Sequence, residues 1–259
     1  MRLKRLLLLL LLLIILVVII LGFYYFNFIQ VQKIAVITYH GVVDKVEDEN
    51  GIEISKKYFN EQMKWLHENG YRTITMDEFY QWKKNQKKLP RKSVLITFDD
   101  GWRNTYTNAL PILEKYGFNS SVFVIWGYSE SCTRTGSHTY IDDNDINDIN
   151  NNHKTMKLLS HSYGLHQHEF ADSKNYDMYA NDIKLVKNID DSIQYYAYPF
   201  GHYNDEYKRA LKENGYKLAF TFGPYSFASK EDDDFEIPRI GIFENTPFWK
   251  FKLKLLLQI

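Results

Sequence analysis

The chain has 259 residues, with 32 lysines and arginines against 32 aspartates and glutamates, so net charge makes no case for a nucleic-acid partner. One cysteine, Cys132, excludes an intramolecular disulfide and any zinc site built on several thiolates. A metal in this chain must be held by His, Asp or Glu.

Arg2, Lys4 and Arg5 precede an uncharged apolar run, 6–26, which at about 1.5 Å per residue spans roughly 30 Å as a helix. The run is longer than the apolar part of a secretory signal. It leads into Gly22 and the aromatic cluster Phe23, Tyr24, Tyr25 and Phe26 rather than a small-residue cleavage site. Residues 1–29 therefore read as a cytoplasmic stub and an uncleaved transmembrane signal-anchor helix. The basic residues ahead of the run place the remainder, 30–259, outside the membrane. That remainder is long enough for one sizeable core.

"KIAVITYH" (33–40) and "KSVLITFDD" (92–100) read as buried strands rich in β-branched residues. Between them, "KKYFNEQMKWLHENGYR" has Phe59, Met63 and Leu66 at helical spacing and closes on Asn69-Gly70. "TNALPILEKYGF" predicts a helix ending at Gly117, and "SSVFVIWG" another strand. Residues 129–153 are heavy in Ser, Thr, Asp and Asn and read as a solvated excursion with room for one short helix; EF-hand spacing is absent. "MKLL" and "YAYPFG" predict strands, "DEYKRALKENGY" a helix and "KLAFTFG" a strand. The tail from Phe248 is either a final helix packed on the domain or a segment lying on the membrane surface. Strands alternating with helices predict an α/β fold with a parallel sheet, open or closed into a barrel. Functional groups in such folds gather at the carboxyl ends of the strands.

Three clusters fall at such ends. Asp99-Asp100-Gly101 closes the strand "VLITF"; two buried carboxylates there need cationic partners, although a helix cap would also use Asp-Asp-Gly. Both can serve one site only if the chain turns, which Gly101 permits. "SHSYGLHQH" follows the strand "MKLL", and on a helix His161 and His166 would not share a face, so they converge only if the loop curls back at Gly164. Two imidazoles and a carboxylate make the three-ligand set of a catalytic metal site with a position left open. His168 reads as a solvated bystander. In "YAYPFGHYN", Tyr198, Phe200 and Tyr203 are candidates for stacking on a sugar.

In this order the clusters resemble the motifs of the polysaccharide deacetylases, the NodB-homology or carbohydrate esterase family 4 enzymes. "TFDDG" matches the first motif letter for letter, "HSYGLH" resembles the second and "YPFG" the third. The resemblance implies a deformed (β/α) barrel, one divalent metal ion on Asp100, His161 and His166, Asp99 as general base, and an oxyanion contact from the Phe200 backbone N–H. It implies hydrolysis of N-acetyl groups on a polysaccharide, with zinc the expected metal and cobalt, nickel or iron as alternatives.

The departures are informative. The histidines are separated by four residues rather than the commoner three, Ala197 stands where the third motif usually has an arginine, and no histidine follows His202. These features resemble the branch of biofilm poly-N-acetylglucosamine deacetylases, in which an early "YH" strand end supplies the acid. Here that residue is His40, and Arg239 in "IPRIGI" is the candidate replacement for the missing arginine. A degenerate glycan-binding barrel and an O-acetyl esterase acting on a xylan-like polymer are the competing readings. Which polymer is cut, and the oligomeric state, are not written in the chain.

Overall fold

The computed structural model describes residues 2–28, 33–48, 51–171, 173, 175–223 and 226–256. Helix α1, Arg2–Phe28, carries the apolar run, with the side chains of residues 7–21 exposed. Among the described residues no helix is long and apolar enough to cross a membrane. The fold therefore does not establish the expected transmembrane helix.

The domain begins with β1 (Lys33–Tyr39), followed by β2 (Val42–Val43) and β3 (Ile54–Ser55), which pair with each other. Ser55 caps α2 (Lys56–Glu68), its hydroxyl accepting from the Tyr58 N–H, and the helix buries Phe59, Met63 and Leu66 as their spacing predicts. Next come β4 (Arg72–Thr73), α3 (Met76–Lys83) and β5 (Ser93–Phe98). Thr75 and Glu78 form a capping box at the start of α3. A π-helical turn, Thr105–Ala109, leads into α4 (Leu110–Lys115) and then β6 (Ser120–Val124).

Beyond β6 the expectation of a solvated excursion is corrected. The segment folds into α5 (Trp126–Thr135) and α6 (Asp143–Asn152), with Ser129, Cys132, Ile141, Asp145 and Ile149 buried. A capping box between Asp142 and Asp145 starts α6, so the acidic residues that suggested a loop are helix-initiating. The strand expected over "SSVFVIWG" also ends early, at Val124.

The chain continues through β7 (Met156–Ser160), α7 (His168–Ala171), α8 (Tyr176–Ile189), β8 (Tyr195–Ala197), α9 (Asp205–Glu213), β9 (Leu218–Phe220), β10 (Ala228–Ser229), β11 (Ile240–Gly241) and α10 (Phe248–Leu256). α10 buries Phe251 and Leu255, so the described part of the tail packs on the domain.

Among the described residues the main sheet has nine strands in the order β10-β1-β5-β6-β7-β8-β9, with β4 on β5 and β11 on β1. All pairings are parallel except β10 on β1. The sheet curls, and one segment draws its edges together: Ile237 bridges Phe220 at the end of β9, while β11 pairs with β1. Alternate strand residues feed two cores. Ile34, Val36, Leu95, Phe123, Leu159 and Phe220 pack with α3 residues, whereas Ile37, Ile96, Val122, Leu158 and Tyr196 pack with the larger cluster containing α2, α4, α8, α9 and α10 residues. The α/β curled barrel matches the expected fold class.

Candidate active site

The strand alternation that fills the cores also places the site. Leu95, Thr97 and Asp99 share one parity along β5 and its continuation, so the Asp99 side chain follows Leu95 into the inner layer. Asp100 then takes a left-handed conformation, φ 71°, and Gly101 follows at φ 77°. This turn, reserved as an option for Gly101 by its lack of a Cβ, lets two adjacent carboxylates line the same pocket.

Both carboxylates are nearly inaccessible, Asp99 at 3 % and Asp100 at 5 % exposure. Asp99 has the ionic partner that such burial requires: Arg239 donates from Nη1 to Oδ1 at 2.6 Å and from Nη2 to Oδ2 at 2.7 Å. Arg239 is itself buried, held by Nε to the Thr221 carbonyl at 3.0 Å and by Nη1 to the Thr38 hydroxyl at 3.2 Å. Those contacts come from the ends of β9 and β1, so the segment that closes the barrel also delivers the guanidinium. Burial raises the Asp99 carboxyl, but Arg239, with His161 behind it, brings it below the usual carboxylate range.

His161 ends β7 and places its Nδ1 2.7 Å from the Ala197 carbonyl. Since a carbonyl only accepts, Nδ1 carries the proton and Nε2 keeps its lone pair. That Nε2 lies 3.5 Å from Asp100 Oδ1, and His166 Nε2 lies 3.1 Å from the same oxygen. Asp100 Oδ2 accepts from the Trp102 indole at 2.9 Å, while buried Oδ1 has no hydrogen-bond donor. An orphaned buried carboxylate oxygen facing two imidazole nitrogens, all three donor atoms within 4.8 Å of one another, fits a shared divalent cation. Burial pushes the His161 imidazolium down to about 4, so its ring is neutral near pH 7, as ligation requires.

The loop between the two histidines is held by a residue without any motif signal. Asp182, on α8 and 6 % exposed, accepts from the Tyr163 N–H at 2.9 Å and the Gly164 N–H at 2.8 Å. Ser162 reaches this loop in a left-handed conformation, φ 87°. Burial raises the Asp182 carboxyl to about 6, even though backbone donors of residues 163, 164 and 165 pull it down. The longer histidine spacing is thus matched by a carboxylate beneath it.

His40, at the end of β1, lines the same pocket, and its Nδ1 is buried without a hydrogen-bond partner. Phe200 follows β8 at φ 58° and Gly201 at φ 76°; a Cβ on Gly201 would stand 2.4 Å from the Phe222 nitrogen. Two of the four described non-glycine residues with positive φ, Asp100 and Phe200, therefore line one pocket of about 280 Å³, and a third, Ser162, directly follows the lining residue His161. His168 lies outside the ligand cluster, its ring stacked on Phe200 at 3.8 Å.

One sugar-stacking candidate, Tyr198, is corrected, and the other, Tyr203, lies outside the pocket. Tyr198 is fully buried, its hydroxyl donating to the Phe235 carbonyl at 3.1 Å, because it shares the parity of Tyr196 and faces the helix layer. Tyr203 is exposed but stacks on Tyr198, donates to Glu236 and does not line the pocket.

Residues 86–219 match the family model described as polysaccharide deacetylase. YxkH of Bacillus subtilis (strain 168) is 31% identical over 220 residues, covering 81% of this chain and 71% of that protein. A poly-beta-1,6-N-acetyl-D-glucosamine N-deacetylase of Staphylococcus aureus (strain MSSA476) is 28% identical over 207 residues, covering 74% and 68%. The fold is similar to Streptococcus pyogenes deacetylase PplD in complex with acetate, with TM-score 0.76 at 24% identity over 86% of this chain and 98% of that one. It is also similar to IcaB from Ammonifex degensii, with TM-score 0.72 at 23% identity over 88% and 98%. The chain belongs to the polysaccharide deacetylase family, and is an enzyme of the N-deacetylase kind that hydrolyses carbon–nitrogen bonds.

Proposed function

We propose that this enzyme removes N-acetyl groups from an extracellular or cell-wall N-acetylglucosamine polymer, leaving glucosamine and acetate. One observation carries the reading: Asp99, gripped on both oxygens by Arg239, stands beside Asp100, His161 and His166 in a single pocket. The similarity to a poly-N-acetylglucosamine deacetylase supports the choice of sugar.

In this reading Asp100, His161 and His166 hold one divalent ion, zinc, although the donor set also suits cobalt, nickel or iron. Bound there, the ion supplies Lewis acidity toward the acetyl carbonyl and toward water. Asp99 accepts the proton of the attacking water. Arg239 keeps Asp99 ionised and fixes its plane, while each carboxylate oxygen retains a second lone pair for that proton. The Phe200 N–H helps to hold the developing oxyanion, its left-handed backbone aiming the amide differently from an extended strand end. His40 protonates the leaving nitrogen, without which an amide C–N bond does not break readily.

The location follows the sequence alone. The charge-free run 6–26 behind Arg2, Lys4 and Arg5 supports a single-pass membrane tether, with residues 30–259 as an extracytoplasmic catalytic domain. The test is acetate release from β-1,6-linked N-acetylglucosamine oligomers, chitooligosaccharides, peptidoglycan and acetylated xylan, before and after chelation. Asp99→Asn abolishes release while the metal content is retained, and His40→Ala lowers kcat by about 10²–10⁴. Turnover surviving in Asp99→Asn rejects the assigned base. Release from xylan alone replaces the N-deacetylase reading by an esterase.

A further inference from the structure

The segment between β6 and β7 encloses a cavity of about 270 Å³ of its own, beside α5 and the chain that follows it. Tyr128 and Tyr140 line it, together with the hydroxyl side chains of Ser131, Thr135, Ser137 and Thr139. None of its described lining residues carries a carboxylate, an ammonium or a guanidinium. Rings connect this cavity to the metal-site cluster. Tyr128 stands edge-on to His166 at 6.4 Å and lies 5.2 Å from Tyr140. Tyr140 stacks on Trp102 at 4.8 Å, and Trp102 is the indole that donates to Asp100.

Backbone hydrogen bonds fasten both ends of the cavity wall to the two ligand segments. At the start of α5, the Trp126 N–H donates to the Ser162 carbonyl at 3.1 Å and the Gly127 N–H to the Tyr163 carbonyl at 2.7 Å. Both acceptors lie in the loop between His161 and His166. At the other end, the Arg103 N–H donates to the Thr139 carbonyl at 3.0 Å, and the Ile141 N–H to the Gly101 carbonyl at 3.0 Å. These flank the turn that carries Asp100. The cavity is therefore held at a fixed place relative to Asp100 and His166.

Its polar groups keep hydrogen-bonding capacity. The hydroxyls of Tyr128 and Tyr140 make no hydrogen bond to another described residue, whereas the nearby Tyr106 and Tyr163 hydroxyls bond to Asp148 and Glu130. The Thr135 hydroxyl donates to the Ser131 carbonyl at 2.8 Å, and those of Ser137 and Thr139 pair at 3.1 Å, but each oxygen retains a lone pair. Burial, and then Asp100, push the Tyr140 phenol up to about 12, so it is a donor at neutral pH.

We infer that this cavity is a sugar subsite that takes a neutral pyranose of the same glycan chain, flanking the sugar that is deacetylated. The inference rests on the deacetylase reading for the identity of the neighbouring pocket. A pyranose offers C–H faces to aromatic rings and a rim of hydroxyls that both donate and accept, which is what this lining provides. An uncharged lining gives an ionic substituent no counter-charge. Because the wall is fastened to the ligand segments, a sugar held here also positions the acetamide of its neighbour. The enzyme thus acts on sugars within a chain in preference to single sugars.

The test is calorimetric binding to the full chain of two probes, a β-1,6-linked N-acetylglucosamine pentamer and the methyl glycoside of N-acetylglucosamine. Two variants are compared with the native chain: Tyr140→Ala, which removes a ring, and Ser137→Trp, which fills the cavity without altering the rings that lead to Asp100. The pentamer binds more tightly than the monosaccharide, and each variant lowers that advantage about tenfold. An advantage that stays within about twofold of native in both variants overturns the inference. So does a loss that falls equally on the two probes, since the rings would then act only through the metal site. Acetate release is measured separately; its absence from every glycan refutes the deacetylase reading, while the binding comparison still decides the subsite.

Discussion

Asp182 sits beneath the loop that carries both histidines, and replacing it by asparagine is the most informative single change in this chain. Its carboxyl rises from 3.8 to about 6 in the fold, which corresponds to about 3 kcal/mol favouring the protonated form. The sign follows from linkage. A folded-state pKa above the unfolded value contributes stability that is complete below about pH 4 and is lost as pH rises through about 6. At neutral pH the ionised carboxylate thus burdens the global fold, and is retained because it accepts from the Tyr163 and Gly164 N–H groups. Asparagine removes the buried charge but offers only one accepting oxygen. At least one of those two amides then lacks a good acceptor, at a cost of about 1–3 kcal/mol. The two effects offset in thermal stability near pH 7, so Tm changes little.

The metal site does not share in that cancellation, because the lost hydrogen bond lies between the ligands. Loss of such a supporting contact typically costs about 10–100-fold in metal affinity. Competition with a chromogenic chelator at pH 7.5 checks this for Asp182→Asn against the native chain. Repeating it at lower pH is the decisive step, since native Asp182 becomes protonated through about 6 and loses its advantage there. The gap in affinity between the two proteins therefore narrows as pH falls below 6, even though protonation of the histidines weakens both. A gap that is absent at pH 7.5, or that stays constant from pH 5 to 8, refutes the reasoning.

Arg239→Met leaves Asp99 as a buried carboxylate without its cation, a change of about 3–5 kcal/mol for a broken buried pair. Its carboxyl then rises, so the acid side of the pH–rate profile moves to higher pH, and Arg239→Lys recovers part of the stability but not the two-pronged grip. Gly201→Ala combines φ 76° with a Cβ 2.4 Å from the Phe222 nitrogen. It lowers Tm by more than the usual Gly→Ala change and distorts the Phe200 backbone, and an unchanged Tm and kcat contradict that account.

Much of this site was legible in the chain because its residues follow strands whose composition is unambiguous. Strands such as β5 are buried along their whole length, so "VLITF" is apolar throughout and its end marks where polar chemistry begins. Asp100, His161 and His166 could be named from the motifs, and Arg239 as a replacement, although only closure of the barrel shows why a residue 140 positions away meets Asp99. Tyr198 was misread because its face depends on parity along β8, and one position decides between pocket and helix layer. α5 and α6 were hidden by composition: Ile141, Ile146 and Ile149 supply an apolar side among asparagines and aspartates whose role is to start the helix. Asp182 had no signal at all, since a mid-helix carboxylate looks solvated until the loop it serves is seen in space. The longer spacing of the histidines therefore has a structural counterpart on another element. A four-residue loop exposes more backbone amides to the protein interior than a shorter one, and a carboxylate on α8 is the group that satisfies them.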